Sequence, residues 1–238
     1  HAKKMQAEGK DFKPIFGCEA YFVPSIADWR EDYEKIMEDK KAARAAKKEE
    51  TSGATVEDES ESKKATRNIL NRRRHLVLLV QNQTGLNNLF KLISESYQPE
   101  NFYRYPRLDF DLLEKYSEGI IASSACLGGV YAGCYWENRE EGSEAVLDAM
   151  RLVTERMVDI FGDRWYGELQ WNNIPEQHEL NKYIIQVCEE YNVDMISTAD
   201  SHYPNPDAWR DRELYKRLGW LGKGHPSWGG DGELPIDV

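Results

Sequence analysis

Apolar residues in this chain fall into short unbroken runs, separated by stretches with a helical period. Residues 15–23 are apolar and rich in β-formers, directly after Lys13-Pro14, and predict a strand. Residues 76–80, Leu-Val-Leu-Leu-Val, form a continuous apolar run of the kind found in strands buried on both faces. Residues 119–123, 166–170 and 194–198 predict three more strands. Helical phrases lie between them. In residues 88–97, Leu89, Leu92, Ile93 and Tyr97 share one side, and residues 110–116, 142–161 and 175–191 also read as helices. Strands alternating with helices imply an α/β fold built from parallel βαβ units with right-handed crossovers. Ligands in such folds gather at the carboxyl ends of the strands.

Residues 25–74 break this rhythm. Residues 33–50 are rich in Lys, Arg, Ala and Glu and predict a solvated helix. Residues 51–64 are Ser-, Glu- and Asp-rich with little hydrophobicity, and predict a disordered loop. The whole stretch reads as a charged insertion between two strands. Residues 1–10, opening with His1 rather than Met, form a helical phrase. They suggest a chain cut from a longer one, as does the last stretch, 219–238.

Composition narrows the function classes. With 42 acidic against 31 basic residues the formal net charge is -11, so the chain is not a general nucleic-acid binder. Any DNA contact is expected to be local or to run through metal ions. The four cysteines show no CxxC pairing and read as reduced, cytoplasmic thiols. No apolar run is long enough to span a membrane, and no signal-peptide pattern is present.

Of the five histidines, two are singled out by position. His75 starts the apolar run 76–80. His202 follows the strand 194–198 in Thr198-Ala-Asp-Ser-His-Tyr203, two residues after Asp200. Asp and His two apart in extended backbone point the same way and suit Zn²⁺, Mn²⁺ or Fe²⁺; an Asx-turn beside a surface His would leave the same pattern. Glu19 lies inside the strand 15–23, where a carboxylate needs either a metal or a basic partner. Cys126 follows the strand 119–123 and could be a metal ligand, a nucleophile or a small buried hydrophobe. His178 and His225 read as exposed.

At these residues the chain resembles the PHP (polymerase and histidinol phosphatase) domains of bacterial replicative polymerases of the DNA polymerase III alpha family. The resemblance rests on Lys13-Pro-Ile-Phe-Gly-Cys-Glu-Ala-Tyr21, on His75-Leu followed by Asn82-Gln-Thr-Gly-Leu-Asn-Asn-Leu89, and on Pro106-Arg-Leu-Asp109. Glu118-Gly-Ile-Ile-Ala-Ser-Ser-Ala-Cys-Leu-Gly-Gly129 and Thr198-Ala-Asp-Ser-His-Tyr203 complete it. It implies a distorted, TIM-like β/α barrel of seven strands, with up to three Zn²⁺ and/or Mn²⁺ ions at the strand ends. Glu19, His75, Cys126, Asp200 and His202 would match metal ligands, and Asp200 and His202 would also serve catalysis. The family's His-x-His and Asp-His motifs do not occur here. They are expected before His1, so that the domain, residues 1–218, would lack its first two strands, with 219–238 beginning a linker.

The function implied is metal-dependent phosphodiester hydrolysis, as a 3′–5′ proofreading exonuclease within a replicative polymerase. Its partners would be the primer 3′ end and other replisome subunits, in the cytoplasm. Two alternatives are a metal-stabilised domain without catalysis and a free-standing PHP phosphatase.

Overall fold

The computed structural model describes residues 2–49 and 69–219. The chain opens with α1 (Ala2–Ala7), β1 (Gly17–Phe22) and the long α2 (Ile26–Glu49). Next come β2 (Arg74–Val80), α3 (Gln83–Ser96), a small hairpin of β3 (Phe102–Tyr103) and β4 (Tyr105–Pro106), and α4 (Phe110–Tyr116). The second half runs β5 (Ile120–Ser123), α5 (Val130–Asn138), α6 (Ser143–Phe161), β6 (Trp165–Gln170), α7 (Pro175–Tyr191), β7 (Met195–Thr198) and α8 (Trp209–Gly219). His1, the predicted loop 51–64, His225 and the stretch 220–238 lie outside the described residues.

The main sheet has five strands in the order β1-β2-β5-β6-β7. The expected all-parallel arrangement holds only for β5-β6-β7. β2 runs antiparallel to both of its neighbours. The reason is the connection between β2 and β5. It contains two helices, α3 and α4, instead of one. A single crossover helix returns the chain to the end from which the strand began. A second helix takes it back again, so β5 starts where β2 ended and runs the other way. Among the described residues β1 and β7 are the two edges of this sheet, so what is seen is a mixed α/β sheet and not a closed barrel.

Strand alternation divides the sheet into two faces. Ala20, Phe22, Leu76, Leu78, Ile120, Ala122 and Trp165 turn towards the helices and are buried with Leu92, Leu113, Met150, Met157 and Ile184. Glu19, Tyr21, His75, Val77 and Tyr166 turn the other way and are less covered. α5 was not foreseen in the sequence. Its first six residues, Val130 to Tyr135, are all buried, so no polar face marks its period.

The stretch 25–74 is anchored at both described ends. Trp29 in α2 is 2% exposed and Leu70 is 2% exposed. Both belong to a polar knot around Pro106-Arg107-Leu108-Asp109. Arg107 is fully buried, donates to the carbonyls of Leu70, Arg72, Tyr103 and Tyr105, and lies 4.0 Å from the Trp29 ring centroid. Burial pushes its pKa down to about 10, and it remains charged at neutral pH. Asp109 caps α4 through the Leu112 amide at 3.1 Å and takes the Ile26 amide at 3.0 Å with its other oxygen. One buried carboxylate thus holds the starts of two helices.

Replacing Arg107 with Ala strips four carbonyls of their donor. The expected cost is roughly 3 kcal/mol of unfolding free energy, measured by urea denaturation. A loss within error of zero would show that these carbonyls find water instead.

Candidate metal centre

Glu19 and His75 meet because β1 and β2 pair with Tyr21 opposite His75 and Glu19 opposite Val77. Glu19 is therefore the diagonal neighbour of His75 on the less covered face. Its Oε1 lies 2.8 Å from His75 Nδ1. The reversed direction of β2 puts His75 at its amino end, beside the carboxyl end of β5, where the chain continues to Cys126.

The loop after β5 is clasped to β2. The His75 amide donates to Gly128 O at 2.8 Å, and a bridge pairs His75 with Gly129. The clasp needs glycine. A Cβ on Gly128 would stand 3.2 Å from the His75 ring, and one on Gly129 would stand 2.0 Å from Ser124 O. The turn also holds Ala125 at φ 60°, a left-handed conformation that a residue with a Cβ adopts at a cost. The result brings Cys126 Sγ to 3.4 Å from His75 Nδ1, with the Gly128 amide donating to the sulfur at 3.4 Å.

The third part comes from the loop after β7. Asp200, itself at φ 48°, has Oδ2 3.4 Å from His202 Nε2. The carboxylate is close enough to Cys126 to act on it. The thiol pKa is raised first by burial, opposed by the Gly128 amide, and raised further by Asp200 and then Glu19. Asp200 and His202 line an open cavity of about 790 Å³ with Trp171, Asn172, Ser197 and Tyr203.

The five expected ligands therefore stand in two parts, Glu19–His75–Cys126 and Asp200–His202, linked by the field of Asp200 at Cys126. Among the described residues no group of three or more His, Cys, Asp and Glu side chains is arranged to hold a metal ion. The donor chemistry nevertheless suits one. A carboxylate oxygen and a thiol sulfur both crowd against one imidazole nitrogen, His75 Nδ1. That nitrogen carries at most one proton and cannot donate to both neighbours. An ion such as Zn²⁺ accepts ligands of all three types. His178, expected to be exposed, is exposed on α7.

The sequence reading passed over Glu168. It is only 6% exposed. Its carboxylate accepts from Ser123 Oγ at 2.5 Å, Thr198 Oγ1 at 2.6 Å and Gln170 Nε2 at 3.3 Å, while its amide donates to Ser124 Oγ at 2.9 Å. It thereby ties the ends of β5 and β7, from which Cys126 and Asp200 depart. The signal was present: a charged residue at a mid-strand position between Gly167 and Leu169, as Glu19 lies between Cys18 and Ala20.

With this geometry established, two comparisons define the class. The model for the PHP domain matches residues 1–172, and the chain belongs to the PHP domain family. Its relatives are DNA polymerase III alpha subunits. The chain is 38% identical over 205 residues to the DNA polymerase III subunit alpha of Aquifex aeolicus, covering 86% of this chain and 14% of that protein. It is 31% identical over 197 residues to the subunit of Deinococcus radiodurans, covering 83% and 12%. With the Borreliella burgdorferi subunit it shares 40% over 131 residues, covering 55% and 11%. The chain thus spans a small part of the length of the relatives it matches. No helix among the described residues is long and apolar enough to cross a membrane.

Two outcomes are expected at this site. Cys126 should react slowly with a thiol-alkylating reagent at neutral pH, and faster as pH rises through and beyond the ordinary thiol range. Glu19→Gln should speed it, because a charge opposing the thiolate is gone. A rate unchanged by Glu19→Gln would mean that the carboxylate does not act on the sulfur. Separately, Glu168→Ala should cost roughly 2–3 kcal/mol in urea denaturation, since it leaves hydroxyls unpaired in a buried setting. A cost below about 0.5 kcal/mol would mean that the network adds nothing to stability.

Proposed function

We propose that the chain is the PHP part of a replicative DNA polymerase of the polymerase III alpha type, and that its site performs metal-dependent phosphodiester hydrolysis. The substrate proposed is the 3′ end of a DNA primer, in a 3′–5′ proofreading step. The observation that carries this reading is the meeting of Glu19, His75 and Cys126, with Asp200 near enough to shift the same thiol. Glu19, His75, Cys126, Asp200 and His202 would hold Zn²⁺ and/or Mn²⁺. When bound, such ions supply a water of lowered pKa and neutralise charge on the phosphate. The chain's own groups do the rest. Asp200, beside the open cavity, accepts a hydrogen bond from the attacking water and orients it. His202, with its Nε2 3.4 Å from Asp200 Oδ2, would hold metal beside that carboxylate and so serve the same step. The acidic chain favours a local contact with one strand end over broad DNA binding. Other replisome subunits, in the cytoplasm, are the proposed partners.

A second reading has its own support. The ligand groups stand as two hydrogen-bonded parts instead of a finished shell. In that reading metal would stabilise the polymerase without catalysis. A free-standing phosphatase is less favoured, because the relatives reported above are polymerase subunits.

Hydrolysis separates the readings. In Mn²⁺ or Zn²⁺ the intact parent polymerase should shorten a primer with a mispaired 3′ end, and Asp200→Asn should slow this by about 100-fold or more. Metal that raises the melting temperature with no shortening, or shortening indifferent to Asp200→Asn, would overturn the catalytic reading.

A further inference from the structure

Trp171 is unused by the function proposed above. It follows β6 at its carboxyl end and is 64% exposed, the most exposed tryptophan among the large exposed apolar residues described. It lines the cavity that Asp200 and His202 also line. Its Nε1 donates to Ser197 Oγ in β7. The only polar atom of the ring is thereby engaged within the protein, while most of the ring's apolar surface stays exposed beside the cavity. The next residue adds a second observation. Asn172 Oδ1 is buried and receives no hydrogen bond, although Asn172 lines the same cavity. A buried acceptor without a donor is costly unless a ligand brings one. The cavity, at about 790 Å³, is large enough for a nucleotide.

An exposed aromatic face beside an N–H-seeking carbonyl oxygen matches a nucleobase. Every base has a face that stacks and an edge bearing N–H groups. The charge of the chain argues the same way. At -11 it is poorly suited to track a phosphate backbone over many nucleotides, so base contacts would add to what Arg212, an arginine lining this cavity, offers a phosphate.

We propose that Trp171 is the stacking platform for the terminal base of a DNA strand, with the Asn172 side chain turning its Oδ1 out into the cavity to accept from that base's edge. The base would then sit beside the proposed hydrolysis site at Asp200 and His202. This assignment deepens the function proposed above and rests on it for the choice of substrate. Sequence reading singled out neither residue, since Trp171 interrupts no periodic pattern and Asn172 carries no charge.

The test compares two single-stranded oligonucleotides bound to the full chain, one ending in an ordinary 3′ nucleotide and one in an abasic residue. Both carry a terminal phosphorothioate, to suppress cleavage, and binding is followed by fluorescence anisotropy in Mn²⁺. Trp171→Ala should weaken the base-ended strand roughly ten-fold, Trp171→Phe should restore most of that affinity, and neither should change the abasic strand. Equal losses on both strands, no loss on either, or no binding of the unaltered chain to the base-ended strand would each overturn the assignment. The primer-shortening assay is read separately. Base-dependent loss without shortening would leave the platform standing and remove the hydrolytic function. Shortening without base-dependent loss would do the reverse.

Discussion

The direction of β2 is the constraint on which this site depends. Because β2 runs against β5, its first residue lies beside the carboxyl ends of the parallel strands, and His75 is that strand's second residue. Were β2 parallel to β5, His75 would stand at the opposite end of the sheet from Cys126 and Asp200. The hydrogen bond from the His75 amide to Gly128 O then fixes the Cys126 loop on the strand; glycine at 128 leaves room for the His75 ring, and glycine at 129 lets the loop fold back on its own carbonyls at Ser124 and Cys126. The diagonal pairing of Glu19 with His75 follows from the β1–β2 register. Local chain geometry thus gathers three of the five groups before any ligand is considered.

Three buried charged residues support that arrangement from two sides. Arg107 and Asp109 join the start of α2, the segment before β2 and the start of α4 through backbone groups alone. Glu168 joins β5 and β7 through hydroxyls. All three are costly to bury and are tolerated because each is surrounded by hydrogen-bonding partners. The strand ends are rigid where Glu168 ties them, and the loops that leave them carry left-handed residues, Ala125 and Asp200, at the positions that aim Cys126 and His202.

Much of the fold was legible in the chain. The helices 110–116 and 175–191 lie where the apolar period puts them, the second ended by Asn192 in a left-handed cap, φ 52°. The five strands were legible from short apolar runs. Their directions were not, since a strand's hydrophobicity carries no sign, and the deciding feature was the pair of helices between β2 and β5. α5 was illegible because its first six residues are all buried, leaving no polar face with a helical period. At the site, Glu19 and His75 were found from position, and the structure brings them together with Cys126. Glu168 gave the same signal as Glu19 and was passed over. Arg107 and Asp109 were legible as a family phrase, but their work is structural and depends on chain segments far apart in sequence.

The central claim is that Cys126 and the Asp200–His202 pair serve one metal centre with Glu19 and His75. Titration of the chain with Co²⁺, a spectroscopic substitute for Zn²⁺, tests it most directly, because thiolate ligation produces a charge-transfer absorption band. The account predicts a saturable band that disappears in Cys126→Ser, and whose intensity and midpoint shift in His202→Ala. A band that survives Cys126→Ser, or one indifferent to His202→Ala, would contradict a shared centre.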